Sequence, residues 1–163
     1  MSAVKKYNMQ KTKRGKKSYE KGAQLERRVA RWLKRLRCEC RLRDLVRGKI
    51  AKRPYEVDIH ATRKELLGLI TRHIWVECKA CKVKRTNITK LAESARDVRD
   101  AYDDDIEKWK PDMLMMVSSV GFDVDALGMA SKYNIYCVNA GKTFKFVGKM
   151  AKQDFLDHVE SKY

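Results

Sequence analysis

His73-Ile74-Trp75-Val76-Glu77-Cys78-Lys79-Ala80 is an apolar stretch that carries an acid and a base two residues apart near its end. Side chains alternate between faces in an extended chain, so Trp75, Glu77 and Lys79 share one face and Cys78 lies on the other. The alternation predicts a β-strand. A lysine in such apolar surroundings loses hydration unless a partner or a function keeps it there. The preceding segment, Tyr55-Glu56-Val57-Asp58-Ile59-His60-Ala61, alternates as cleanly. It predicts a second strand with Tyr55, Val57, Ile59 and Ala61 on one face. Thr62 to Arg72, around Gly68, reads as the hairpin connection. Paired as a hairpin, the two strands would bring Asp58 and Glu77 to one point.

On the N-terminal side, Leu25, Val29, Trp32, Leu33 and Leu36 recur at helical spacing and predict an amphipathic helix over about 22–37. Its outer face is dense in arginine and lysine. A strand is expected around Cys38–Val46, followed by a basic loop from Gly48 to Pro54. On the C-terminal side a long helix is expected from about Ile88 to Trp109, striped by Leu91, Ala95, Val98, Ala101 and Tyr102 and ended by Pro111. Met113-Leu114-Met115-Met116-Val117 suits a strand buried on both faces. Gly121 leads into a helix over Val124–Tyr133, then a short strand Ile135–Val138. Another strand is expected over 143–147 and a closing helix over 150–161. This order predicts an α/β protein: a three-layer fold whose central mixed sheet is flanked by helices, with an αβββαβ core.

The chain of 163 residues fits one domain, read as 22–163, preceded by a flexible basic arm over 1–21. Lysines and arginines number 38 against 21 acids, a net charge of +17. Such an excess favours a polyanionic partner, since each neutralised phosphate releases counterions. Nucleic acid is the first candidate and an anionic membrane surface the second. No apolar run approaches the roughly 20 residues of a spanning helix, and the charged N-terminus does not read as an export signal. The five cysteines are an odd set without that signal, which points to a reducing, cytoplasmic setting.

Two carboxylates and a backbone carbonyl suit a hard divalent cation such as magnesium. A nearby lysine can orient a water and offset phosphate charge, and phosphodiester hydrolysis needs these services. Glu26 borders the apolar stripe of the first helix, where an acid points toward the sheet and can support a metal. The plainer reading is that Glu77 and Lys79 are an ordinary pair on a solvated sheet face.

Together these residues resemble the PD-(D/E)xK nuclease superfamily, with its restriction-endonuclease-like fold. Lys21-Gly22-Ala23-Gln24-Leu25-Glu26-Arg27 resembles the opening helix of archaeal Holliday junction resolvases and Mrr-type restriction endonucleases. Glu56-Val57-Asp58-Ile59 stands where the family has its metal-binding Asp, and Val76-Glu77-Cys78-Lys79 is similar to its E-x-K strand. Val117-Ser118-Ser119-Val120-Gly121-Phe122, with Asp125-Ala126-Leu127 and Asn134-Ile135, looks more like the Mrr branch. The resemblance implies Asp58 and Glu77 as metal ligands, Cys78 through its carbonyl, Lys79 near the water and Glu26 in support. It departs from the family name at Val57, which stands where the Pro would be.

The expected activity is a magnesium-dependent DNA endonuclease, with manganese able to substitute. A junction-resolvase-like repair nuclease, a non-catalytic binder on the same fold and an RNA-associated protein are the alternatives. Expected DNA contacts are Lys16, Lys17 and Lys21 of the arm, Arg27 and Arg31 of the first helix, Arg47, Lys49, Lys52 and Arg53 of the loop, and Lys82, Lys84 and Arg85. The resemblance also implies a homodimer, for which the sequence shows no seam, and association with the nucleoid. Cys38, Cys40, Cys78 and Cys81 read as structural or core cysteines rather than a cluster site. His60 shares a strand face with Asp58 and reads as satisfied or exposed, with a place at the border of the site as the other option. Asp103-Asp104-Asp105 with Glu107 reads as the solvated end of a helix. Asn87, beside Thr86 and Thr89, reads as a helix cap or part of a phosphate-binding helix start.

Overall fold

Met113–Ser118 are buried throughout, and a strand so enclosed has to lie inside a sheet covered on both faces. In the computed structural model, which describes the backbone of residues 3–150 and 154–155 and side chains from Arg14 onward, it is the fourth strand of six. The elements in chain order are α1 (Ala3–Arg35), β1 (Glu39–Val46), β2 (Tyr55–Glu65), a 3-10 turn (Leu66–Gly68), β3 (Ile70–Lys79), α2 (Arg85–Asp103), β4 (Met113–Ser118), α3 (Val124–Lys132), β5 (Ile135–Ala140) and β6 (Phe144–Val147). The strands lie side by side in chain order. The β1–β2, β2–β3 and β5–β6 pairs are antiparallel, and β3–β4 and β4–β5 are parallel through α2 and α3. This is the mixed three-layer α/β sheet the pattern predicts.

Two apolar layers hold it. Leu25, Val29 and Leu33 of α1 pack with Ile59, Ala61, Ile74, Val76, Met115 and Val117 on one face. Ile88, Leu91, Ala95 and Val98 of α2 and Ala126 of α3 pack with Val57, Trp75, Leu114 and Met116 on the other. Each buried Met or Leu removed to Ala here costs about 2–5 kcal/mol.

The helix ends differ from expectation for local reasons. Helix α1 begins at Ala3, so its backbone runs through the segment expected as a flexible arm, whose side chains before Arg14 lie outside the described residues. It closes where Arg37 adopts φ 64° and Cys38 N–H bonds to Leu33 O at 3.1 Å, a Schellman closure. Helix α2 closes the same way, with Asp105 at φ 59° and Ile106 N–H on Ala101 O at 2.8 Å. It therefore stops at Asp103 rather than at the expected Trp109. The acidic run also opposes continuation, since anions at a C-terminus meet the negative end of the helix dipole. The hairpin connection is shorter than expected, because β2 and β3 stay paired out to Glu65 and Ile70. Of the closing helix expected over 150–161, Asp154 and Phe155 are helical and the remainder beyond 150 lies outside the described residues.

One sequence expectation is overturned. Tyr55 and Val57 belong to the α2-side layer, whereas Ile59 and Ala61 belong to the α1-side layer. Strand β2 thus changes face between Val57 and Ile59. The β1–β2 pairing steps from Leu42–Ile59 to Asp44–Val57, over Arg43 and Asp58, and the β2–β3 pairing begins only at Ile59–Val76. Arg43 sits in the left-handed region at φ 54°, which kinks β1 at that step. The kink lies beside Asp58 and opens the hairpin there.

Candidate functional site

Four elements meet at this opening. Asp58, freed from the ladders by the kink, turns its carboxylate onto β3, where Oδ2 accepts from Cys78 N–H at 2.7 Å. Glu77 and Lys79 project from the adjacent end of β3, with Lys79 Nζ donating to Glu77 Oε1 at 2.7 Å. Glu26 comes from α1 and is largely covered, and Arg43 of β1 pairs with it at 3.2 Å. Arg43 also donates to the Tyr19 hydroxyl on α1, so its left-handed backbone delivers one guanidinium to two residues of that helix. The four sequence-predicted residues therefore come together. Arg43 was not foreseen, because only the kink, and no sequence period, sends its side chain back to α1.

The electrostatics are those of carboxylates short of positive charge. Burial, then the charge of Glu77, and more weakly that of Glu26, push the Asp58 carboxyl up to about 7, against the opposing pull of the Cys78 amide and Lys79. For Lys79, burial disfavours the charged form, but Glu77, through charge and hydrogen bond, and Asp58 outweigh it and hold the amine above its ordinary value. Lys79 is thus a cation at neutral pH, a donor and not a base.

The donor set fits a hard divalent cation. Asp58, Glu77 and Glu26 offer oxygen ligands, and a cation would offset the burial and the crowding that raise Asp58. Cys78 adds a fourth oxygen. An extended residue projects its amide and carbonyl to the same side, so the Cys78 carbonyl faces the opening into which its amide binds Asp58. Each carboxylate holds an internal partner, however. Among the described residues, no group of three or more His, Cys, Asp or Glu stands ready-made around one point. Loading requires Glu77 to turn from Lys79 and Glu26 from Arg43.

A groove of about 350 Å³ opens beside Glu77 and Lys79, walled by Tyr55 and Glu56 on β2 and by Asn87, Lys90, Leu91 and Ser94 on α2. Asn87 Oδ1 accepts from Lys84 N–H at 2.9 Å and caps the helix start. Lys90 was missed in the sequence, although its spacing of three from Asn87 puts both on one helix face.

Comparison with known proteins adds the fold and little else. No family model matches the chain, and no curated protein sequence matches it. A solved structure that does match is the crystal structure of a protein of unknown function, AF1548. The TM-score is 0.55 at 17% identity, covering 69% of this chain and 54% of that one. The chain thus spans about half the length of that neighbour, and the likeness supports the α/β architecture.

The bases expected to meet DNA are all exposed: Lys16, Lys17, Lys21, Arg27 and Arg31 on α1, Arg47, Lys49, Lys52 and Arg53 between β1 and β2, and Lys82, Lys84 and Arg85 before and at the start of α2. Lys49 is engaged within the protein by Asp104 at 2.7 Å. The acidic end of α2 is thus not merely solvated: Asp103 takes Lys110, and Glu107 accepts from Arg47 N–H. The loop has a second anchor in Asp97, buried on α2. Its carboxylate accepts from Ile50 N–H at 2.7 Å, Ala51 N–H at 3.1 Å and the Tyr55 hydroxyl at 2.8 Å. Burial alone would raise the Asp97 carboxyl, but these donors hold it below its ordinary value.

His60 does not open onto the site. It is buried under Trp109, ring centroids 3.6 Å apart, and bonded at Nδ1 to Asp44 and at Nε2 to His73. Burial holds both imidazoles below their ordinary value and so neutral, and with Nδ1 of His60 donating to Asp44 its Nε2 accepts from His73. The cysteines are free thiols: Cys38 and Cys137 are buried, Cys40 and Cys78 pack half-buried against the α1-side layer, and Cys81 is exposed rather than in the core. No helix among the described residues is long and apolar enough to cross a membrane.

Proposed function

We propose that this protein is a metal-dependent DNA endonuclease of the PD-(D/E)xK type. The observation that carries the reading is the meeting of Glu26, Asp58, Glu77 and Lys79 at the kinked end of the β2–β3 hairpin, where burial and then the neighbouring carboxylates lift Asp58 to about 7. Asp58, Glu77 and the Cys78 carbonyl would hold a magnesium ion, with Glu26 supporting it. Bound there, the ion would supply Lewis-acid polarisation of the scissile phosphate and neutralise its developing charge. Lys79, released from Glu77, donates from Nζ to the attacking water or a non-bridging phosphate oxygen and so orients the one against the other. The groove beside it, bordered by Lys90 and Asn87, receives the adjoining backbone. Exposed bases of α1 up to Arg31, of the β1–β2 loop and of the start of α2 contact phosphates rather than base edges, which gives modest sequence preference.

The test is incubation of the purified protein with branched, single-stranded and linear duplex DNA in magnesium, manganese or EDTA, beside Lys79→Ala and Asp58→Ala. Cleavage that needs the metal and is lost in both variants supports the reading, and the favoured substrate tells a resolvase from a general endonuclease. Tight binding without cleavage under every metal leaves a binding protein on this fold.

A further inference from the structure

Arg28, Arg31 and Arg35 recur at spacings of three and four on α1, so they stand in one row on its surface. The row borders a groove, with Arg28 half-buried and Arg31 and Arg35 exposed. The groove, of about 300 Å³ between α1 and β6, is also lined by Lys142, and its apolar wall is Trp32 and Phe144. Those two rings stack at 4.7 Å with planes 7° apart, and the Arg28 guanidinium carbon lies 5.5 Å from the Phe144 centroid. Among the described residues no carboxylate lines this groove. Four cations gathered on one wall repel each other, so the arrangement favours an anion that can answer several at once.

The groove is not isolated. A second one, of about 310 Å³, is lined by Lys21, Gln24 and Arg28 of α1 and by Ala80 and Ser119. Arg28 is common to both, and Ala80 directly follows Lys79. A basic track thus runs from the candidate centre along α1 to the Trp32–Phe144 stack. From Lys21 to Arg35 it covers roughly 20 Å at 1.5 Å per helical residue, room for several nucleotides.

We infer that this track binds a single-stranded extension of the DNA substrate, its phosphates along the arginine row and an unpaired base against the aromatic wall. The inference rests on the DNA-binding part of the function proposed above and specifies the substrate class. Single strands bind where a basic groove runs beside ring faces, because every unpaired base has a face to stack, whereas a duplex offers base faces only at its ends.

The test measures fluorescence anisotropy with a labelled twelve-nucleotide oligothymidylate and a blunt hairpin duplex. The track pair is Arg35→Ala with Lys142→Ala, both exposed positions, checked by thermal melting. The control pair, Arg96→Ala with Lys132→Ala, removes the same charge from the helices covering the opposite face of the sheet. The track pair should weaken oligothymidylate binding about tenfold while duplex binding changes little, and the control pair should leave both within about twofold. Equal losses from the two pairs, or equal losses on the two ligands, overturn the inference. Cleavage assays separate it from the function it rests on. A selective loss of single-strand binding by a protein that never cleaves keeps the track and removes the nuclease. Normal cleavage with unaltered single-strand binding keeps the nuclease and removes the track.

Discussion

Asp58 stands at the middle of the candidate site, and its burial and crowding have a measurable sign. Its carboxyl holds a proton up to about 7 in the folded protein, against an ordinary value of 3.8. A raised folded value contributes stability that is full below the unfolded value and is lost as pH climbs to the folded one. In EDTA the melting temperature should therefore fall between about pH 4 and pH 7, and Asp58→Asn should flatten that fall. Magnesium should raise the melting temperature at pH 8 and much less at pH 5, where Asp58 keeps its proton. An identical magnesium effect at both values would separate the cation from Asp58. Asp58, Glu77 and Lys79 were legible in the sequence because strand period is local, and Glu26 because it borders a helical stripe. Arg43 and Asp97 were not. Arg43 reaches Glu26 across 17 residues through a left-handed backbone, and Asp97 holds a loop nearly fifty residues away, contacts that no local period encodes.

At the scale of elements, two loops carry predictions of opposite sign. A Cβ on Gly48 would meet Asp97 Oδ2 at 1.9 Å and Tyr55 Cε2 at 2.8 Å. Asp97 cannot withdraw without releasing the amides and hydroxyl it accepts from, so Gly48→Ala should destabilise by about 1–3 kcal/mol in denaturant titration and loosen the basic loop. At the β2–β3 tip, Leu67 is fully exposed with φ 56°. Left-handed backbone costs a non-glycine residue about 1–2 kcal/mol, partly offset by the entropy glycine adds to the unfolded chain. Leu67→Gly should thus stabilise by up to about 1 kcal/mol in the same titration. The elements themselves were well marked, since apolar period distinguishes strand from helix over most of the chain. Their ends were not: α2 closes on the left-handed Asp105 six residues short of the Pro111 that signals a stop in the sequence. The change of face in β2 was equally hidden, because its alternation runs unbroken through Asp58 while the backbone kinks.

Over the whole molecule, the +17 charge is carried largely on exposed bases. Those expected to meet DNA lie on α1, on the β1–β2 loop, whose Lys49 pairs with Asp104 at the far end of α2, and at the start of α2. Binding to duplex DNA should therefore weaken steeply with salt. Removing Lys82, Lys84 and Arg85 together should reduce the log–log slope by about 2–3, at roughly 0.9 per phosphate contact. An unchanged slope would move the interface elsewhere. The charge was plain from composition, but the pairing of Lys49 with Asp104 depends on the fold and on no local period. Glu77→Gln probes cleavage with the least disturbance, since the amide oxygen can still accept from Lys79 while the charge is gone. Cutting of a linear duplex in magnesium should fall by at least about a hundredfold in that variant, with its melting temperature in EDTA little changed. Cutting at the wild-type rate would contradict a metal-dependent nuclease centred on Glu77.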